Sequence, residues 1–153
     1  MSKDLDILAR TIYGEARGEN IEGKVAVANV ILNRFRKVQA IKKERPAHQF
    51  SHLFGNGITL EATCLRPWQF SCWNNNDPNR EKILAVKGTD LFFNECIAVA
   101  KVAIAGLLVD NTKGSTHYHV LSDGFPPSWK KPGEADHEPA VIIGKHAFYN
   151  TVK

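Results

Sequence analysis

Ile12-Tyr13-Gly14-Glu15-Ala16-Arg17-Gly18-Glu19 is the stretch on which the reading of this chain turns. It sets two carboxylates four residues apart, with an arginine between them and a glycine just before each. Segments of helical pattern lie on either side. Glycine punctuates helix ends and lets a second backbone or a ligand come close. The stretch is therefore expected to be a helix end against which something else is held, with Glu15 as the candidate general acid/base.

Immediately upstream, Leu5, Leu8, Ala9 and Ile12 recur at i, i+3, i+4, i+7, the spacing of a helix with one buried face. Glu15 then falls near the C-terminal end of that helix. The negative end of the helix dipole, together with neighbours that partly desolvate the carboxyl, favours the protonated form that a general acid needs. Downstream, Asn20 is a natural N-cap. After it, Val25, Ala28, Ile31, Leu32 and Phe35 form a stripe that Val27 and Val30 widen, predicting a helix central to the core. Arg34, Arg36 and Lys37 are expected to close it, their charge suiting a helix C-terminus.

Residues 38–58 lose periodicity and read as a surface excursion with room for one short helix. Residues 59–65 suggest a helical turn before Arg66-Pro67. The next run, Trp68-Gln69-Phe70-Ser71-Cys72-Trp73-Asn74-Asn75-Asn76, has the most unusual composition in the chain. Aromatic walls beside amide and hydroxyl donors match the two faces of a sugar ring, but the same residues also suit a core loop with asparagine turns. Composition leaves both readings open.

Asp77-Pro78 resembles an N-cap with proline at N1, opening a helix through Ile83, Leu84 and Val86 that ends at Gly88. Thr89 or Asp90 caps another, whose apolar face is read as Leu91, Phe92, Cys96, Ile97, Ala100, Ala103, Ile104 and Leu107. The pattern then switches. Residues 115–120 and 140–143 read as β-strands by their β-branched and aromatic content, with an irregular, proline-marked loop between them. The expectation is a single α+β domain over residues 1–153, mainly helical, with a small antiparallel sheet and no separate wall-binding domain.

A chain of 153 residues, 43% hydrophobic and 24% charged, has the composition of a packed globular domain and excludes a disordered or fibrous one. Cys64, Cys72 and Cys96 are odd in number and lack CxxC spacing, so they are read as buried thiols. The N-terminus shows no apolar run of a secretory signal, and residues 96–109 are too short to span a bilayer. A net charge of +4 and a pI near 9.0 mildly favour anionic partners such as the acidic polymers of a bacterial envelope.

Three constellations compete for the chemistry. Glu15 and Glu19 would share a face if the helix ran on through both glycines, as an acid and base pair on a glycosidic bond. Alternatively, His117 and His119 would share a face of a strand and could clamp a zinc ion, with His146 or a residue of Glu134-Ala135-Asp136-His137-Glu138 as third ligand, giving a metal-dependent amidase. No HExxH helix supports that reading. The third is a nucleic-acid surface, and the scattered basic residues without a known binding pattern argue against it. There is no GxSxG for serine catalysis.

Ala9-Arg10-Thr11-Ile12-Tyr13-Gly14-Glu15-Ala16-Arg17-Gly18-Glu19, then Gly23-Lys24-Val25-Ala26-Val27-Ala28-Asn29-Val30-Ile31-Leu32-Asn33-Arg34, resemble the start of the SleB-type cell-wall hydrolases. Gln69-Phe70-Ser71-Cys72-Trp73, Thr116-His117-Tyr118-His119, Pro127-Ser128-Trp129 and Ile143-Gly144-Lys145-His146-Ala147-Phe148-Tyr149 carry the resemblance, in order, across nearly the whole chain. That family includes spore-cortex lytic enzymes and phage endolysins.

The resemblance implies a lysozyme-like, goose-type fold that acts on the MurNAc–GlcNAc bond of peptidoglycan, as a muramidase or a lytic transglycosylase. It implies Glu15 as the catalytic acid, and Gln69, Phe70, Ser71, Tyr118 and His119 as substrate contacts. It calls for no metal and no cofactor. Glycan strands are the expected partner of a monomer that binds no nucleic acid and has no stable membrane association. Glu19 is expected in a structural role, bonding Arg17 or a helix N-terminus. Lacking a visible signal and a wall-binding domain, the chain is expected to be made in the cytoplasm and to act at the cell wall, as a phage or prophage endolysin does. A zinc-dependent amidase and a non-catalytic wall-binding module remain the alternatives.

Overall fold

The computed structural model describes residues 1–44, 59–67 and 69–152, with side chains as far as Ile41 in the first of these segments. Helix α1 spans Lys3–Ala16 and starts where the Ser2 hydroxyl accepts the Leu5 N–H at 3.2 Å. It runs through Gly14 without a break, so this glycine does not end the helix. A Cβ there would sit 2.7 Å from Cys72 Cβ and 2.9 Å from Ile83 Cγ2. The missing side chain is what lets the next layer of the molecule close on α1.

Asn20 caps α2 as expected, its side-chain oxygen accepting the Gly23 N–H at 3.0 Å. The helix spans Ile21–Glu44 and does not stop at the basic cluster. Arg34 lies well inside it, so its charge has a use other than balancing a helix end. The rest of the predicted excursion, residues 45–58, lies outside the described residues, as does Trp68.

Helix α3, Leu60–Leu65, is capped by Thr59. A single 3-10 turn follows over Ser71–Trp73. Helix α4, Asn79–Ala85, ends earlier than Gly88. Arg10 braces this end: its guanidinium donates to the carbonyls of Ile83 at 2.6 Å and Val86 at 3.1 Å, which the end of a short helix leaves unpaired. Asp90 caps α5, Leu91–Ile104. Its buried face is Phe93, Cys96, Val99, Ala100 and Ala103, while Leu91, Phe92, Ile104 and Leu107 are exposed. The buried stripe is thus shifted from the expected one at both ends of the helix.

The three strands are β1 (His117–Val120), β2 (Val141–Ile143) and β3 (His146–Tyr149). They form an antiparallel sheet in the order β1-β3-β2. Tyr118 pairs with Phe148 and Val120 with His146. The fold class is α+β and mainly helical, as expected.

Helix α2 lies between two bodies of core. One side carries Val27, Ala28 and Ile31 into the main cluster with Leu8 and Ile12 of α1 and Phe93 of α5. Ala26 and Val30, on its other side, meet Phe148 of the sheet. Each such fully buried aliphatic side chain contributes about 1.5–3 kcal/mol relative to exposure. The three cysteines are free and buried. Among the described residues, no helix is long and apolar enough to cross a membrane.

Candidate active site

The end of α1, the 3-10 turn and the start of β1 converge on one cleft. Its volume is about 330 Å³, and it is lined by Glu15, Arg34, Gln69, Ser71, His117, Tyr118, Ser128 and Trp129. That is the lower end of the size range of small-ligand sites. Glu15 enters from the last turn of α1. The Cys72 backbone N–H points at its Oε1 at 3.4 Å, and the Glu15 charge acts on both the Cys72 thiol and the Tyr118 phenol. Burial, reinforced by the nearby Glu15 charge, holds Tyr118 well above the usual phenol range, so it stays a protonated donor. The same two causes push the Cys72 thiol upward.

Three contacts bring the 3-10 turn to this place. Gly14 opens the space for Cys72. The Trp73 indole N–H donates to Thr11 Oγ1 at 2.9 Å, one helical turn before Glu15. Arg34 supplies the third, donating from Nε to the Thr116 carbonyl at 2.6 Å and from Nη1 to the Gln69 carbonyl at 2.7 Å. One guanidinium thereby joins the loop carrying Gln69 to the strand carrying Tyr118. Burial disfavours the charged form of this arginine, and the Glu15 carboxylate is among the groups that favour it. The residue read as helix-end electrostatics is a strut of the cleft.

The run of residues 69–76 divides between the two readings that composition left open. Gln69 and Ser71 line the cleft. Phe70 and Cys72 turn inward, each no more than 2% exposed. The Phe70 ring lies beneath the Arg34 guanidinium at 4.6 Å. Phe70 therefore supports Arg34 from behind and is not among the residues that line the cleft. His119 also lies inward. It is 8% exposed, its Nε2 pairs with the Tyr149 hydroxyl at 2.9 Å, and it is absent from the cleft lining.

His117, Ser128 and Trp129 are lining residues that had not been put forward as substrate contacts. The Pro127-Ser128-Trp129 block held the signal for two of them, since it recurs in the family pattern although it sits in an irregular loop. Trp129 packs on His117 with ring centroids 5.0 Å apart, and on Tyr149 at 5.1 Å. His117 is pushed down to about 4 by burial and by the positive charges of Arg34 and Lys37, so it is a neutral ring at ordinary pH.

The histidines considered as zinc ligands are each engaged separately. His117 Nδ1 pairs with Thr116 Oγ1 at 2.9 Å and His119 with Tyr149, while His146 Nδ1 faces the Glu19 carboxylate at 3.2 Å without a hydrogen bond between them. Among the described residues, no group of three or more His, Cys, Asp or Glu side chains is placed to hold a metal ion. Glu19 is turned away from the cleft and bonds the β2–β3 turn. Its predicted partner Arg17 instead donates to Asn79 Oδ1 at 2.8 Å.

This fold and these residues have counterparts among known proteins. A structure of the catalytic domain of the germination-specific lytic transglycosylase SleB from Bacillus anthracis superposes with a TM-score of 0.63 at 25% identity, covering 97% of this chain and 96% of that one. The catalytic domain of the Bacillus cereus SleB protein gives 0.60 at 25% identity, covering 95% and 88%. Both place the chain in the lysozyme-like fold. Short segments match spore cortex-lytic enzymes more closely, with 61% identity over 33 residues for Bacillus subtilis and 64% over 31 for Oceanobacillus iheyensis. Each of those segments spans 22% or less of this chain and about 11% of the relative. The sequence model of the cell wall hydrolases matches residues 18–149, and with most of its length so covered the chain belongs to the cell wall hydrolase family.

Proposed function

We propose that this chain cleaves the glycan strands of peptidoglycan between N-acetylmuramic acid and N-acetylglucosamine as a lytic transglycosylase, with Glu15 as acid and then base. One observation carries the choice of reaction. Glu15 is the single carboxylate among the described residues that line the cleft. Inverting and retaining glycosidases both need a second carboxylate across the scissile bond, to activate water or to attack C1. A transglycosylase takes its nucleophile from the substrate and needs only one.

In this reading, protonated Glu15 gives its proton to the bridging oxygen, which leaves as the 4-hydroxyl of N-acetylglucosamine while the muramyl C1–O bond breaks. The Glu15 carboxylate then takes the proton of the muramyl C6 hydroxyl as that oxygen bonds to C1. The product is a 1,6-anhydro ring, no water is consumed, and Glu15 returns to its protonated state. Tyr118 and the Cys72 N–H hold the carboxylate in one orientation through both transfers. Gln69, Ser71 and Ser128 offer amide and hydroxyl partners for the sugar's polar groups, and Trp129 an apolar wall for its C–H face.

Glu15→Gln tests the assignment. The variant keeps the size of the side chain and its acceptor oxygen but has no proton to give. Release of soluble fragments from purified peptidoglycan is expected to fall by about a thousandfold or more, with the melting temperature nearly unchanged. Activity within about tenfold of the parent would remove Glu15 from the chemistry. The proposal extends to an endolysin role, supported by a basic pI suited to anionic wall polymers. Co-expression with a holin is then expected to clear a culture, and an unchanged turbidity would contradict that part.

A further inference from the structure

Glu19 lies four residues beyond Glu15 and outside the cleft, yet the molecule builds a socket around it. Its Oε1 accepts the Lys145 N–H at 3.3 Å and stands 3.2 Å from His146 Nδ1. The two side chains are 11% and 6% exposed. Its carbonyl oxygen accepts from the buried Lys24 ammonium, which also pairs with Glu95 at 3.0 Å. Two glycines on separate elements make room for this one side chain. A Cβ on Gly23 would lie 2.6 Å from the Cβ of Glu19, and one on Gly144 would overlap its Oε2. Gly144 also has a φ of +57°, a conformation side chains other than glycine's rarely adopt.

A carboxylate withdrawn from water costs stability unless it is paired and bonded, and an apolar contact would close a hairpin with less penalty. The arrangement has an outlet toward the cleft. His146 stands diagonally across the β1–β3 ladder from Tyr118, because Val120 pairs with His146 and Tyr118 with Phe148. The two rings meet edge to face, with centroids 5.3 Å apart at 80°. Tyr118 in turn lines the cleft beside Glu15, whose charge acts on its phenol.

We propose that Glu19 is a positioning residue for the reaction: by fixing the His146 ring it fixes Tyr118, and through the Tyr118 phenol the orientation of Glu15. The two glutamates of the opening stretch would then serve one proton transfer, one by making it and the other by aiming it. This inference rests on the assignment of Glu15 as the acid.

The test is a double-mutant cycle between Glu19→Gln and Tyr118→Phe, measured on soluble, uncrosslinked glycan strands, with Glu15→Gln as reference. Glu19→Gln keeps an acceptor for the Lys145 N–H and removes the charge facing His146. In the parent it is expected to lower kcat about tenfold with KM within about twofold. In the Tyr118→Phe background it is expected to lower kcat by less than about twofold, since both changes act through the same phenol.

An equal loss in both backgrounds would overturn the proposal, and so would a lowered melting temperature with kcat unchanged. If Glu19→Gln does not fold, His146→Phe retains a ring against Tyr118 while cutting the tie to Glu19. The same non-additive loss is expected of it, and an additive one would overturn the idea. Full activity in Glu15→Gln would instead remove the reading on which the proposal rests, a result separate from any outcome of the cycle.

Discussion

Glu15 and Glu19 are chemically the same side chain, four residues apart on either side of the end of α1, and their surroundings give them different work. Glu15 opens to a cleft that Tyr118 also lines, and meets the Cys72 backbone N–H. Glu19 is enclosed by a turn, an imidazole and two glycines. Their spacing could be read from the sequence, but which of them faces solvent could not, because that depends on a hairpin more than a hundred residues away. His117 belongs to the same scale. Burial and the neighbouring Arg34 and Lys37 hold it at about 4, below its ordinary 6.5, with Glu134 opposing them.

A folded-state value below the unfolded one means that the unfolded chain takes up the proton first. The neutral ring's contribution to stability is complete above about pH 6.5 and is lost as pH falls from there toward 4. Chemical denaturation across that range is expected to show the parent losing stability on acidification. A His117→Asn variant should show a shallower loss, and identical slopes would contradict this account of His117.

At the scale of elements, the site is assembled by a short turn that no periodicity announces. Ser71–Trp73 is three residues long, and its position is set by Gly14, Thr11 and Arg34, all on helices distant in sequence. The helices themselves were legible. Asn20 caps where its side chain predicted, and of the two candidates Thr89 and Asp90 it is Asp90 that caps. Helix ends were less so, because α2 continues past its basic cluster and α4 stops before Gly88, where Arg10 takes up its free carbonyls. Local composition cannot register a tertiary partner of that kind.

Gly14 gives the test proper to this scale. Gly14→Ala is a favourable change in an isolated helix, but here its methyl would press on Cys72 and Ile83. Overpacking of this kind costs about 1–3 kcal/mol. In a domain of this size that corresponds to a drop in melting temperature of about 3–10 °C. Activity should fall as well, because Cys72 moves away from Glu15. A rise in melting temperature would show that helix propensity outweighs the contact.

Over the whole molecule, α2 is the wall between a helical core and a small sheet, and the cleft lies where the two bodies meet. Whereas β3 was not read as a strand, the α+β class and two strands, expected at residues 115–120 and 140–143, were readable from side-chain type. The pairing of β1 with β3 was not, since it joins the sheet across an irregular loop. That pairing is what sets Tyr118 beside His146, so the second half of the site became visible only with the fold. Phe70 and His119 illustrate the same limit: both carry side chains suited to sugar contact, and both are turned inward by Arg34 and Tyr149.

The claim joining these scales is that a single acid in this cleft opens a glycan strand upon itself. Mass spectrometry of the fragments released from purified peptidoglycan reads that directly. Muropeptides ending in 1,6-anhydro-N-acetylmuramic acid, with their peptide stems still attached and in amounts unaffected by a chelator, are the predicted result. Reducing muramic ends would show that water is the nucleophile, and free peptide stems released in a zinc-dependent way would contradict the account altogether.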